Sequence, residues 1–355
     1  MKAINTSFAY ALLIGAAITG CAADPANPNP DDPNNPDDPS DPDDPLPPNV
    51  DASGKYAMQS HYDLATNAPG VAGDVVNAII AGTDDPDDPT SWLLDQVINN
   101  MASGTIKNIL VGAKPFVAGY LNDRLLSIAP DFVTTMVAVG DDFGQISKNF
   151  GLEETLDVAG SDGSWTSTHS VLGARFKIDN VESTYLFADY ATANVAVPGV
   201  GMTVDQTGKL TLAQHTLPLQ YGAILRIGLD AAIIPTLDPT AANLGQLLQH
   251  QVDCNAVGVA VNDAIVSQVG FGPGSGVFTT ACNLGLQKAA DLVYSKIADI
   301  DGDALNFGIA GTAKVLDKNQ DNKLDTIQTG TWAGTLSYAG TPAPLSTATF
   351  FGARM

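Results

Sequence analysis

Five residues near the end of the chain carry the clearest chemical spacing. In DKNQDNKLD, Asp317, Asn319, Asp321 and Asp325 place side-chain oxygens at alternate positions, and Lys323 falls in step with them. Carboxylate and amide oxygens gathered on one short loop form a donor set suited to a hard cation such as calcium. The other reactive types are sparse. There are three cysteines, Cys21, Cys254 and Cys282, and four histidines, His61, His169, His215 and His250. No two histidines stand at zinc-ligand spacing, and neither G-x-S-x-G nor H-E-x-x-H occurs. His61, His169 and His215 lie in strand-like stretches among Ser, Thr and Gln, which predicts surface or edge positions. A triad assembled from distant residues stays open. Aspartates are too numerous for any pair of them to mark a glycosidase. No catalytic residue is assigned.

The loop at 317–328 resembles the calcium loops of EF-hand and dockerin modules. Asp317, Asn319, Asp321, Lys323 and Asp325 match its alternate positions, the lysine through its backbone carbonyl, and Leu324 supplies the expected apolar residue. Asn322 replaces the usual glycine but tolerates a left-handed turn. Gln328 replaces the closing glutamate, removing a charge and a ligand oxygen. The flanks read as strands. The resemblance therefore implies a weak calcium site at a hairpin tip, in the range of about 10⁻⁴–10⁻³ M. The alternative is a solvated turn. Asp299, Asp301 and Asp303 in DIDGD are better explained by a helix stop at Gly302.

The first twenty residues are a targeting segment. Lys2 precedes an apolar run from Phe8 to Ile18, too short to span a bilayer as a helix and suited to a signal-peptide core. Ile18-Thr19-Gly20-Cys21 resembles the bacterial lipobox. That resemblance implies cleavage before Cys21 and lipidation of its sulfur and amine with acyl chains such as palmitate, enough for stable anchoring. Ala22 and Ala23 follow with no aspartate beside the cysteine, which by analogy with enteric sorting points to the outer membrane. Residues 21–50 are almost wholly Asp, Asn and Pro beyond the cysteine. They cannot bury apolar surface, so they read as a disordered, extended tether. Residues 51–355 read as a single domain.

The net charge is -23. Without Lys2 and the eight tether aspartates, the domain keeps 15 basic and 31 acidic residues, a net charge of -16. This excludes nucleic acid, whose affinity rests on cationic contacts to phosphate, and disfavours docking on an anionic lipid surface.

The elements that must hold these residues follow from periodicity. Tyr56, Met58, Ser60 and Tyr62 alternate with polar neighbours and predict a strand. Residues 71–150 read as helical, with TDDPDDPTSW at 83–92 as an internal loop. Strands are expected over 152–235, with a hairpin turn around Gly208 and one long strand in LQYGAILRIGLDAAII. Two helices follow, one carrying Leu247, Cys254, Val261 and Ile265 on one face, the other Phe278, Cys282, Leu286 and Ala289. Strands close the chain. The fold class expected is α+β: a long, curved antiparallel β-sheet covered by helices, including a disulfide-bridged helix pair. In an exported chain Cys254 and Cys282 are expected to pair, the alternative being free thiols. The glycine-rich VGFGPGSG reads as a turn between those helices, since it lacks the spacing and the lysine of phosphate loops.

The element order is similar to that of tubular lipid-binding domains. The function expected is a cell-envelope lipoprotein with a non-catalytic binding or structural role, its partner a lipid, another hydrophobic ligand or an envelope protein. A membrane-tethered hydrolase and a calcium-stabilised adhesion module are the alternatives.

Overall fold

The alternation in GKYAMQSHY becomes strand β1 (Gly54–Tyr62), with Tyr56, Met58, Ser60 and Tyr62 buried. The computed structural model describes residues 50–84, 131–161, 163–178 and 180–355, with scattered positions between 95 and 129. The signal peptide, Cys21, the tether up to residue 49 and most of the 83–92 loop lie outside the described residues. So do most of the helical stripes at 93–101 and 116–125.

Among the described residues nine further strands follow: β2 (Phe150–Ser161), β3 (Ser164–Ile178), β4 (Val181–Leu186), β5 (Val195–Val204), β6 (Lys209–Leu219), β7 (Leu305–Leu316), β8 (Thr326–Tyr338), β9 (Thr341–Pro344) and β10 (Ala348–Arg354). These strands pair antiparallel, and one isolated bridge, Asp51 to Lys323, is parallel. The sheet is not the open, covered layer expected from sequence. It runs β1-β2-β3-β5-β6-β7-β8, and β10 then bridges β8 back to β1. Eight strands thus close into a barrel, with β4 appended to β3 and β9 to β8. Closure removes the edges that an open sheet must protect. It depends on β10 meeting β1 across nearly the whole chain, a pairing that local periodicity cannot reveal.

An eight-stranded barrel is just wide enough to be filled by side chains. Here Tyr56, Met58, Leu152, Leu217, Phe307 and Leu336 sit fully buried at inward positions. The outward positions carry Thr166, Thr211, Thr216, Thr312, Thr331 and Thr335, all exposed. At these positions apolar side chains point in and polar ones out, the reverse of a membrane-spanning barrel. Among the described residues no helix is long and apolar enough to cross a membrane.

Two helical insertions leave and rejoin the same barrel end, where Tyr62 pairs with Phe150 and Leu219 with Leu305. One carries helices Gly70–Asp84 and Phe132–Lys148. The other carries Tyr221–Ile227, Leu244–Gln251, Cys254–Val269 and Ser275–Ile300. Phe150 lies edge-on to Tyr221 at 5.6 Å and Tyr62 edge-on to Phe307 at 5.0 Å, an aromatic floor beneath the helices.

The long strand expected over LQYGAILRIGLDAAII is instead helical. Helix Tyr221–Ile227 runs into a π-helical stretch, Gly228–Ile233, and a last turn, Ile234–Leu237. The run is apolar on most sides because most of the helix is buried, with Arg226 exposed, so periodicity alone could not separate it from a buried strand. Asp301 caps it, its Oδ1 accepting the Gly222 N–H at 2.9 Å. Burial pushes the Asp301 carboxyl up from its usual value, and the backbone N–H groups oppose this.

The single helix expected around Leu247 and Ile265 is two. Asp253 breaks it and caps the second, accepting the N–H groups of Asn255 and Ala256. Helices Cys254–Val269 and Ser275–Ile300 then pack closely at Gly258, where a Cβ would meet Thr279 Oγ1 at 2.3 Å. Cys254 and Cys282 form a disulfide across this pair, with Cα atoms 5.6 Å apart. The VGFGPGSG segment turns between them as expected, tied down where Asn262 Oδ1 accepts the Gly274 N–H.

Candidate functional site

A polar layer crosses the middle of the barrel. Within the apolar runs, β1 contributes Ser60, β2 Glu154, β3 His169, β6 His215 and β8 Trp332. Ser60, Glu154 and His169 are 0% exposed and His215 only 9%. Burying such groups is costly unless they are paired, and they are paired in series. Trp332 Nε1 donates to Ser60 Oγ at 3.0 Å, and Ser60 donates to Glu154 Oε2 through a short bond. Glu154 Oε1 lies 3.4 Å from His169 Nε2, close enough for an ion pair but not aligned for a hydrogen bond. His169 Nδ1 and His215 Nε2 are 2.8 Å apart, and His215 Nδ1 donates to the Ala213 carbonyl at 2.9 Å.

The Trp332 ring stacks on His169 at 5.6 Å and on Phe350 at 4.2 Å, and meets His215 edge-on at 5.9 Å. These aromatics hold the imidazoles in place. Burial lowers the proton affinity of His215, the Ala213 carbonyl opposes this, and the neighbouring His169 lowers it further. Tyr62 borders the layer. Burial, and then the Glu154 carboxylate, push its phenol well above the ordinary value.

Three irregularities in the ladders coincide with this layer. The β2–β3 register shifts between Glu153 and Glu154, the β3–β5 register between Ser167 and His169, and the β6–β7 register between Leu212 and His215. Side chains alternate strictly along a regular strand. Leu212 and His215 are three residues apart and both buried, so the bulge through Ala213 and Gln214 is what turns His215 inward. Bulges re-aim side chains and cluster beside functional sites.

This overturns the surface or edge positions expected for His169 and His215. A signal existed. Glu154 shares its parity with Leu152 and Leu156, and His169 shares its parity with Trp165 and Val171. Polar neighbours on the opposite face masked it. His61 does lie on the outside, bonded to Glu182, which with Glu153 also holds Arg175. His250 is exposed and bonded to Asp238. That bond, after the one from Thr240, holds the Asp238 carboxyl down at about 2.

The 317–325 segment is the β7–β8 hairpin loop. Its oxygens accept backbone N–H groups: Asp325 Oδ2 from Lys318 and Asn319, Asp317 Oδ2 from Asn322, Asn319 Oδ1 from Asp321, and Asp321 Oδ1 from Lys323. Asn322 adopts the left-handed conformation, with φ 64°. Leu324 is buried, and the backbone at Asn322 and Leu324 bonds to Asp51. Among the described residues no group of three or more His, Cys, Asp or Glu side chains is placed to hold a metal ion. No protein-family model, curated protein or solved structure matches the chain.

Proposed function

We propose that this protein is a cell-envelope lipoprotein, anchored through Cys21 on its Asp/Pro tether, whose barrel has a binding or structural role rather than a catalytic one. The observation that supports this most is the filled barrel. Ser60, Glu154 and His169 are sealed at 0% exposure beneath a closed wall, and a substrate atom has no contact with them there. The same filling favours an envelope protein over a lipid as partner, because a carried acyl chain needs interior volume that Leu152, Leu217 and Phe307 occupy. The polar outer face suits a domain standing in the aqueous envelope.

The test joins two measurements on the full chain. Cys21→Ser should move the protein from the membrane to the soluble fraction; retained lipidation and attachment would overturn the anchor. A native mass spectrum should show no co-purified lipid besides the anchor, and a stoichiometric lipid mass would restore the carrier reading.

The hydrolase alternative draws on one observation, the three bulges converging on Glu154, His169 and His215. Ester and glycoside substrate panels on the wild type and on Glu154→Gln decide it. Turnover lost in Glu154→Gln would establish catalysis.

A further inference from the structure

The ends of the buried chain fix its protons. An indole N–H can only donate and a carbonyl can only accept. Ser60 Oγ therefore accepts from Trp332 and directs its own proton to Glu154. At the other end His215 carries its proton on Nδ1, for the Ala213 carbonyl. In neutral His215 the Nε2 is then an acceptor, so the proton of the 2.8 Å contact belongs to His169 Nδ1. One proton remains for Glu154 Oε1 and His169 Nε2, which would otherwise face each other as bare lone pairs at 3.4 Å. A further proton on His215 Nε2 would set two N–H donors head to head.

The wall beside His215 is weakly held. The β5–β6 ladder has three residue pairs, from Met202–Leu212 to Val204–Leu210. Beyond Leu212 the described ladder partner of β6 is β7, and the β6 bulge falls at the start of that stretch. Beside the two histidines, β2 contributes Glu154 and β8 Trp332, and β5 and β7 pair Val197 and Ile309 with them, while Tyr62 of β1 lies against Glu154 and Phe350 of β10 against Trp332. Of these, Glu154 and Tyr62 carry ionisable side chains.

We propose that the Glu154–His169–His215 chain is a proton-operated latch on the barrel wall, in which acidification breaks the His169–His215 bond and frees residues 213–219 of β6. The latch lets this stretch of β6, which among the described residues β7 alone pairs and no β5 ladder backs, swing away from β7 without unfolding the barrel.

Hydrogen–deuterium exchange on the full chain, corrected for the intrinsic pH dependence of exchange, tests this between pH 7.5 and pH 5. Amides at 213–217 and 219 should lose protection about tenfold more than those of β8, the change that one pKa unit of coupling produces. His215→Gln keeps an acceptor for His169 but cannot take the proton, so it should abolish the local response. His61→Gln with His250→Gln should retain it. Nitrogen-15 spectra of the wild-type imidazoles give a check independent of any variant, with His215 expected as the Nδ1–H tautomer at pH 7.5. Uniform loss of protection, an unchanged response in His215→Gln, or an Nε2–H tautomer would each overturn the latch.

Discussion

His169 Nδ1 and His215 Nε2 meet at 2.8 Å inside a closed barrel, from strands whose nearest ladder irregularities sit at those same residues. Neither ring is free to turn, because Trp332 stacks on one and meets the other edge-on. The contact ties β3 to β6 across the barrel interior.

Glu154 is the test of how tightly this layer is balanced. Glu154→Gln retains an oxygen for Ser60 and offers its amide N–H to His169, so stability should change by less than about 1 kcal/mol. Glu154→Ala leaves both partners buried and unpaired and should cost about 3–5 kcal/mol. Urea unfolding of the two variants separates these outcomes, and equal losses would show that the layer is not the coupled chain described here.

Stability should rise with pH through the range in which His215 titrates. Its folded proton affinity is depressed by burial, so near and below the ordinary histidine value the unfolded chain binds more protons. Stability is then fully present above about pH 6.5 and falls as pH drops through the lower folded value. Thermal melts of the wild type and His215→Gln from pH 5 to pH 8 should converge at the upper end and diverge at the lower.

The disulfide should contribute about 3–4 kcal/mol by loop closure, given the 28-residue separation of Cys254 and Cys282. A Cys254→Ser, Cys282→Ser double variant measures it against the oxidised wild type. A loss below about 1 kcal/mol would mean that the close approach at Gly258 already holds the helix pair.

Arg354 closes the end of the barrel at which β1 begins. Its guanidinium donates to the carbonyls of Leu324 at 2.7 Å, Ser53 at 2.6 Å and Asp51 at 3.2 Å, and to the Tyr56 hydroxyl at 3.0 Å. Burial, opposed by this same guanidinium, pushes the Tyr56 phenol up to about 12. Arg354→Ala should cost about 2–3 kcal/mol, as expected for lost charge-assisted bonds. Amide exchange should rise first at residues 51–56 and 322–326.

These contacts show what was legible in the sequence and what was not. Local features were: the alternation of β1, the hairpin turn at Gly208, the cysteines on apolar helix faces and the left-handed turn tolerated at Asn322. Long-range closure was not, because β10 finds β1 some 300 residues away in sequence. The helix from Tyr221 was hidden by burial on most sides, which blurs the period that separates helix from strand. The polar layer was half visible, since Ser60 and Glu154 keep the parity of their apolar neighbours. His215 was not, because the extra residue at Ala213–Gln214 breaks that parity.

The β7–β8 loop allows a clean experiment on calcium, because its hydrogen bonds and its charges are separable. Each of Asp317 and Asp321 gives one oxygen to a backbone N–H, and an Asn oxygen can take that place. Asp317→Asn with Asp321→Asn should therefore keep the turn and leave the melting temperature in chelator unchanged. The charges lost are those that a hard cation needs, beyond the one already missing at Gln328. A weak site predicts that the wild type gains about 1.4 kcal/mol at calcium tenfold above its dissociation constant, and that the double variant gains nothing. If the wild type shows no gain at about 10 mM, well above the 10⁻⁴–10⁻³ M class, the loop is a turn whose carboxylates serve the backbone. Its task is then to hold Leu324 and Asp51 beneath Arg354.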